Sequence, residues 1–558
     1  MRRRTLLLGS LGLTALSLPA LAKTPELTAD VVIVGSGGAG LMAAYGALEA
    51  GAKKVVVLEK APMAGGRTAY SSGFLSAVSP KRQNPGVTDS VERMVRDMLE
   101  EGDYAADARL VETLARDSES VLDLFEALGL RWRPPVALCG GFFPRNFSPY
   151  PMRSGYEYVR ALLDALEKEG DRFRILFETR AERLLAEDGR IAGIAAQGPS
   201  GPLTVRAKAV VLATGGFASN AERLARCLGT DPHRHPRIVS TPDPVDTGDG
   251  LDLAEAVGAD AVGLEHVLAI PYMGGKIQWA GASDLYLDRE GRRFIAEDAS
   301  WRTLRNAVER LPDAQFWVVT DSQSFKGDSA EMKILEGRVR VAENLEALAK
   351  GLDVPLETLR ETLARYNAFV REGIDRDFGK RSLLLTVEEP PFYYGEESLG
   401  VLVTLGGLAI DTEGRVLDKR GLPIPGLYAA GETTGGVHGA SALGGTTLTE
   451  IFVFGQRAGR EAARVSLSPP PPSSSRLLPR YEAAAFQALL RLPRLFQNPP
   501  FVVILSDAPR RRFGKRGHPK SSKTTPSTTR HRRTKSGERI GRPTDRAGEP
   551  LLPCGSDH

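Results

Sequence analysis

The 558 residues exceed what one compact core holds, so two domains plus tails are expected, and 42% apolar with 25% charged residues is ordinary globular composition. The net charge of +4 hides an asymmetry: from Pro471 onward 18 Lys/Arg face 6 Asp/Glu, a surplus of +12, so residues 1–470 carry −8 and offer no nucleic-acid footprint. The three cysteines, Cys139, Cys227 and Cys554, stand in no CxxC or CxxCH spacing, which excludes dithiol redox chemistry, zinc knuckles and covalent c-type haem.

In chain order, Arg2, Arg3 and Arg4 precede an apolar run from Leu6 to Leu18 and then Ala20-Leu21-Ala22, the layout of a cleavable leader over residues 1–22. Arg3-Arg4-Thr5-Leu6-Leu7 also fits the twin-arginine pattern, whereas an ordinary secretory signal shares only the general layout. No later run of ~18 apolar residues occurs, so no membrane span is expected. Val31–Val34 reads as a buried strand, Leu41–Ala50 as a helix and Val55–Leu58 as a second strand, which together make a βαβ unit. Ala209–Ala213 is another apolar run, and residues 343–372 read as mostly helical, with a break at Gly351 and a restart at Pro355. Gly426–Ala430 is a last strand, leading through a Gly-rich loop into a helix over Thr447–Val465. From residue 466 to 558 the character changes: Pro469–Pro472 and Ser473–Ser475 form a low-complexity break, Tyr481–Leu505 is the one apolar patch, and residues 510–550 are Arg, Lys, Ser, Thr, Pro and Gly with almost no apolar residues, so this tail is expected to be disordered. A shifted reading frame in GC-rich DNA would give the same composition.

The chemistry is carried by loops. Gly35-Ser36-Gly37-Gly38-Ala39-Gly40 satisfies GxGxxG between a strand and a helix, where small residues let the backbone approach a pyrophosphate at a helix N-terminus. Glu59, 19 residues beyond Gly40, ends the second strand, where a carboxylate accepts ribose hydroxyls. A second small-residue loop, Gly65-Gly66-Arg67-Thr68 with Ser71-Ser72-Gly73, favours FAD over NAD.

These blocks, with Ala213-Thr214-Gly215-Gly216, Thr247-Gly248-Asp249-Gly250 and Gly431-Glu432-Thr433-Thr434-Gly435-Gly436, resemble the soluble FAD-dependent fumarate reductase/succinate dehydrogenase flavoproteins over about residues 30–465. The resemblance implies an α/β fold: a Rossmann-like FAD-binding domain over 30–270 and 400–465, with an α+β capping domain inserted at 271–399. It places Gly35, Gly37, Ala39 and Gly40 at the pyrophosphate, Glu59 at the ribose, and Ala181 at the adenine. Gly66, Arg67, Thr68, Ser72 and Gly73 would pass the flavin, with Thr214, Gly215, Asp249 and Glu432 as further cofactor contacts. Gly445, Thr446, Thr447 and Leu448 would face the flavin pyrimidine edge. No histidine stands between Gly65 and Gly73, where covalent members attach FAD, so non-covalent binding is expected.

The family reduces a C=C bond by hydride transfer from flavin N5, with a proton from an arginine after an Arg-Phe-x-x-Glu block. Here Arg293-Phe294-Ile295-Ala296-Glu297 is followed by Trp301-Arg302, one residue farther on; Arg302 is the candidate acid and Arg305 the second. Ala442, Val403 and Ile270 stand where the resemblance places one arginine and two histidines that grip fumarate. With three ligands apolar, fumarate is not the expected substrate. The aromatic set Trp279, Tyr272, Trp301, Phe142, Phe143, Tyr150, Tyr156 and Tyr158 suggests a larger conjugated enoate or enone. Electrons would come from a separate c-type cytochrome, and the folded protein would be exported to the periplasm. A dehydrogenase running the reverse reaction, fumarate reductase proper and a degenerate non-catalytic flavoprotein stay open as alternatives.

Overall fold

Ten of the twelve residues of helix Gly38–Glu49 are buried, because the helix is sandwiched between a sheet and the last helix of the fold, Thr446–Leu467. That contact is close: a Cβ on Gly459 would lie 2.0 Å from the Ala43 carbonyl oxygen, so only glycine lets the two helices approach so nearly. The computed structural model describes residues 25–467 except 139–140, 230–236, 239–244, 272–273, 278–282, 325 and 327–329. The leader read at 1–22 and the basic tail beyond Leu467 lie outside these residues, as do Tyr272 and Trp279. Ser466 and Leu467, assigned to the tail by composition, instead finish the last helix.

The principal sheet runs in the order 415–417, 423–429, 201–212, 26–34, 55–58, 173–176. Its central strands pair in parallel, Val31 opposite Ala209 on one side and Val55 on the other. The run Val31–Val34 is buried throughout, as a strand covered on both faces requires. An antiparallel extension, Arg180–Glu187 and Arg190–Gly198, hangs from strand Gly201–Leu212.

A second, mostly antiparallel sheet is organised by the 13-residue strand Phe392–Thr404, which pairs with Val267–Pro271, Gln315–Thr320 and Arg340–Ala342. Helices Leu345–Leu352 and Leu356–Glu372 cover it with their own core of Leu348, Leu359, Leu363 and Tyr366. The break between these helices falls at Asp353, in the left-handed region at φ 58°, and not at Gly351, which stays helical. Among the described residues no helix is long and apolar enough to cross a membrane.

Candidate functional site

The first strand ends at Val34 and the chain turns sharply into helix Gly38–Glu49. Gly35 takes φ +100°, and a Cβ there would meet the Ala213 oxygen at 2.2 Å, so the turn admits no side chain. A Cβ on Gly37 would meet only the Gly65 carbonyl oxygen, at 4.0 Å, and the helix start borders a groove; the Gly38 N–H there donates to the Thr68 hydroxyl at 3.1 Å, while Gly37 itself adds no side-chain cap. The groove is lined by Gly37, Glu59, Arg67, Ala181, Asp249 and Glu432, among others.

Glu59 is buried at one end. Its Oε2 accepts from the Ser36 amide at 2.8 Å and the Ser36 hydroxyl at 2.7 Å, while Oε1 accepts from the Ala61 amide at 2.8 Å. The carboxylate thus ties the glycine turn to the second strand while one edge faces the groove. Nearby, Asp249 is held by Lys60 at 3.1 Å, Arg180 at 3.2 Å and the Thr247 hydroxyl at 2.8 Å. Burial opposes its ionisation, but these partners outweigh burial and hold its pKa below the ordinary value.

Farther along, the Arg67 guanidinium bonds Asp246 at 2.6 Å, donates to the Leu402 carbonyl, and lies 4.0 Å from Glu432. Glu432 accepts from the Thr404 amide at 2.9 Å and its hydroxyl at 3.0 Å. One guanidinium thus answers two buried carboxylates. Burial first, then the Asp246 charge, push the Glu432 carboxyl up to about 8, against the pull of Arg67 and Thr404.

Twelve of the residues singled out in the sequence line this cavity: Gly35, Gly37, Ala39, Glu59, Gly66, Arg67, Thr68, Ala181, Thr214, Gly215, Asp249 and Glu432. Gly40 packs beneath it against the Gly35 carbonyl. Gly73 accepts from the Tyr158 hydroxyl at 2.8 Å, with Ser72 beside it in the same loop. Gly445, Thr446, Thr447 and Leu448 open the last helix, and the two loops are joined where Ser76 donates to the Gly445 carbonyl at 3.2 Å and accepts from Thr449 at 2.6 Å. Sequence reasoning missed Lys60, Arg180 and Asp246. Lys60 follows Glu59 directly, but its partner Asp249 is 189 residues away.

Beside the groove, strand Phe392–Thr404 carries Leu402 and Val403 into an apolar cluster. Leu268, Ile270, Leu405 and Ala442 form its buried centre, with Trp301, Leu402 and Val403 packed on it. The three positions read as missing carboxylate ligands therefore meet in one place. Of the aromatic residues read as lining, Trp301 is here. Tyr158 is core instead, fully buried 4.9 Å from Phe125, while Tyr150 and Tyr156 are exposed. Phe143 lies under the guanidinium groups of Arg93 and Arg145, and the Phe142 side chain lies outside the described residues. The Arg302 guanidinium turns to Asp103 at 3.3 Å and is about a third exposed, and Arg305 bonds Glu309 at 2.8 Å.

A groove at a glycine turn, with the buried Glu59 carboxylate on its wall and an apolar cluster beside it, is shared with proteins of known activity. The family model described as FAD binding domain matches residues 30–448. A fumarate reductase (cytochrome) of Shewanella frigidimarina is 36% identical over 460 residues, covering 80% of this chain and 79% of that protein. The chain belongs to the FAD-dependent fumarate reductase/succinate dehydrogenase flavoprotein family. A urocanate reductase of Eggerthella lenta, another relative, is 32% identical over 80% of this chain and 77% of its own length. Among solved structures, a 3-ketosteroid-Δ4-(5α)-dehydrogenase from Rhodococcus jostii RHA1 in complex with 4-androstene-3,17-dione superposes with a TM-score of 0.66 at 26% identity, over 79% of this chain and 98% of that one. The flavoprotein is an FAD-dependent oxidoreductase acting on C=C bonds. Its groove fits the cofactor: a helix N-terminus at its wall suits a pyrophosphate, and Gly37, with no atom nearer than 4.0 Å to its Cβ position, admits close approach.

Proposed function

We propose that this flavoprotein reduces the C=C bond of a conjugated enoate or enone whose flanks are apolar, not a dicarboxylate. The observation that carries the reading is the single cluster formed by Ala442, Ile270, Leu268, Leu405, Leu402, Val403 and Trp301. A second carboxylate there would be buried without the paired cation it needs, at a cost of several kcal/mol.

When bound, FAD supplies a hydride to one carbon of the double bond. The residues of this chain hold it non-covalently. Glu59 takes the ribose hydroxyls, Ala39 and Gly40 present the helix N-terminus to the pyrophosphate, and Gly445–Leu448 turn the start of the last helix toward the flavin, where a helix dipole favours negative charge. Residues 30–270 and 400–465 form the cofactor domain and 271–399 the cap. The cap and cluster exclude water from the reacting bond. The proton for the other carbon would come from the corner between Trp301 and Ala442, where Arg302 and the buried Glu101 stand among the described residues. Export through the twin-arginine leader and electron supply from a separate c-type cytochrome complete the proposal. The reverse, dehydrogenase direction is a second reading, supported by the ketosteroid dehydrogenase likeness.

The test is anaerobic reoxidation of the dithionite-reduced protein by fumarate, acrylate, cinnamate and cyclohexenone. Cinnamate or cyclohexenone should reoxidise it, with fumarate slower by orders of magnitude, since each missing contact costs on the order of 2–4 kcal/mol in the transition state. Brisk reoxidation by fumarate overturns the reading.

A further inference from the structure

The outer side of one groove wall carries a surface that the cofactor reading leaves unused. Helix Gly66–Tyr70 lines the groove with Gly66, Arg67 and Thr68, and at its other end Tyr70 stands in solvent. The segment 149–156 is laid directly on that helix: the Gly155 N–H donates to the Ser71 carbonyl at 2.9 Å, and a Cβ on Gly155 would lie 1.9 Å from the Thr68 carbonyl oxygen. Tyr70, Tyr150, Met152 and Tyr156 are each half exposed or more. Three arginines frame them. Arg131 pairs opposite Tyr150, Arg133 stacks on the Tyr150 ring at 5.5 Å and donates to the Pro151 carbonyl at 2.7 Å, and Arg153 lies over the Phe74 ring at 5.1 Å.

We propose that this face is where reducing electrons enter: it docks a protein that carries a one-electron redox group inside an acidic rim. The proposal rests on the C=C reductase reading above and goes beyond it by assigning the surface and the partner's charge. The electrons balance. Two carrier molecules are oxidised, each giving up one electron, and the bound cofactor is reduced by that pair with one proton from solvent. The pair and the proton leave together as the hydride already assigned to it.

Three observations point to this occupant. Reduction of a double bond consumes two electrons per turnover, and the chain carries neither a CxxCH haem motif nor a second nucleotide-binding GxGxxG to bring them, so they come from another molecule. One wall, helix Gly66–Tyr70, separates this face from the groove, and a carrier seated here is held close to the cofactor. Composition is the second: Tyr, Met and Arg are residues that protein interfaces enrich, whereas exposed apolar patches are rare on monomers. Charge is the third. Residues 131–156 hold four arginines and no Asp or Glu, in a body that carries −8 over residues 1–470. The fourth, Arg145, is buried against Asp89 and Asp97, and the next acid along the chain, Glu157, is answered by Arg160 at 2.8 Å. Arg133 and Arg153 lie on rings and not on carboxylates, which leaves their charge for a partner, so the face suits an acidic one. This chain's own tail, +12 from Pro471 onward, repeats the sign of the patch and does not complement it.

The experiment reduces the FAD-loaded protein anaerobically, in a stopped-flow instrument, with two donors: a photoreduced acidic iron–sulfur ferredoxin and the small methyl viologen radical cation. Ferredoxin should reduce the flavin at a rate that falls as salt rises, because steering between opposite charges is screened. The triple variant R131E/R133E/R153E should slow that donor ~10–100-fold and leave methyl viologen reduction, FAD content and reoxidation by cinnamate or cyclohexenone unchanged. A wild-type ferredoxin rate in the triple variant overturns the proposal. So does a wild-type protein whose ferredoxin rate ignores salt, or one that methyl viologen reduces and ferredoxin does not. A wild-type dimer in sedimentation that the triple variant converts to monomer overturns it too, giving the face to a second copy. If the triple variant does not fold, M152E takes its place, and an unchanged ferredoxin rate there is decisive against the proposal. Reduction and reoxidation are separate half-reactions. Reoxidation by none of the enoates and enones therefore sinks the reductase reading, whereas the ferredoxin rates decide the docking face.

Discussion

Two of the buried charge sets among the described residues are built to opposite rules. Behind the second sheet, Arg293 bonds Glu297 and Asp375 at 2.9 Å each, and Lys380 lies 3.2 Å from Glu297. Two cations meet two carboxylates. Burial opposes the charge on Glu297, but Lys380 and then Arg293 outweigh it and hold its pKa down. In the groove, Arg67 stands between Asp246 and Glu432, and Glu432 is pushed up instead. The first set is balanced in charge, with the Arg293 guanidinium also stacked on the Tyr366 and Phe378 rings. The second keeps spare accepting capacity, which a hydroxyl-rich ligand can fill. Electrostatic balance therefore separates scaffold from site even where both are buried.

Three measurements sharpen or break that contrast. The largest effect belongs to the balanced set. Glu297→Ala leaves Arg293 and Lys380 buried with Asp375 alone, so stability should drop by roughly 3–5 kcal/mol, read as a lowered denaturant midpoint or lost soluble yield. A midpoint near wild type would show that the network carries little. Next comes Glu59→Ala, which removes a charge-assisted contact worth about 1.5–3 kcal/mol and should weaken FAD binding at least tenfold in a fluorescence titration of apoprotein. Unchanged affinity would remove Glu59 from the cofactor site.

The smallest effect concerns Glu432. Its folded-state pKa lies above the unfolded value of 4.5, so its stabilising contribution is complete below about pH 4.5 and is lost as pH rises toward about 8. Apoprotein should therefore lose on the order of 1–2 kcal/mol of stability over that window. Glu432→Gln should flatten this part of the profile. A variant that keeps the full pH slope would assign the titration to another group.

The glycine turn, the second loop and Glu59 were legible because each acts through local backbone geometry: a strand end, a turn and a helix start within a few dozen residues. The buried Val31–Val34 run gave away its strand for the same reason. The apolar cluster was legible only as three departures, and nothing in the sequence placed them side by side. Glu101 carries no motif, since its partners Ser441 and Arg302 lie 340 and 201 residues away. Tyr158 was misread because an aromatic residue in a helix looks alike whether it faces a substrate or, as here, Phe125 and Phe452. The break at Asp353 was displaced from Gly351 because a helix tolerates an interior glycine at modest cost.

The close seam between the first and last helices also sets an order of events during synthesis. Gly455 and Gly459 pack on Ala39 and Ala43, which left the ribosome more than 400 residues earlier. Until that late helix docks, Gly38 lacks its Ile451 neighbour, and the loops at Ser76 and Gly445 cannot join. The complete groove, whose wall includes Glu432 and Ile451, is thus a product of the finished chain.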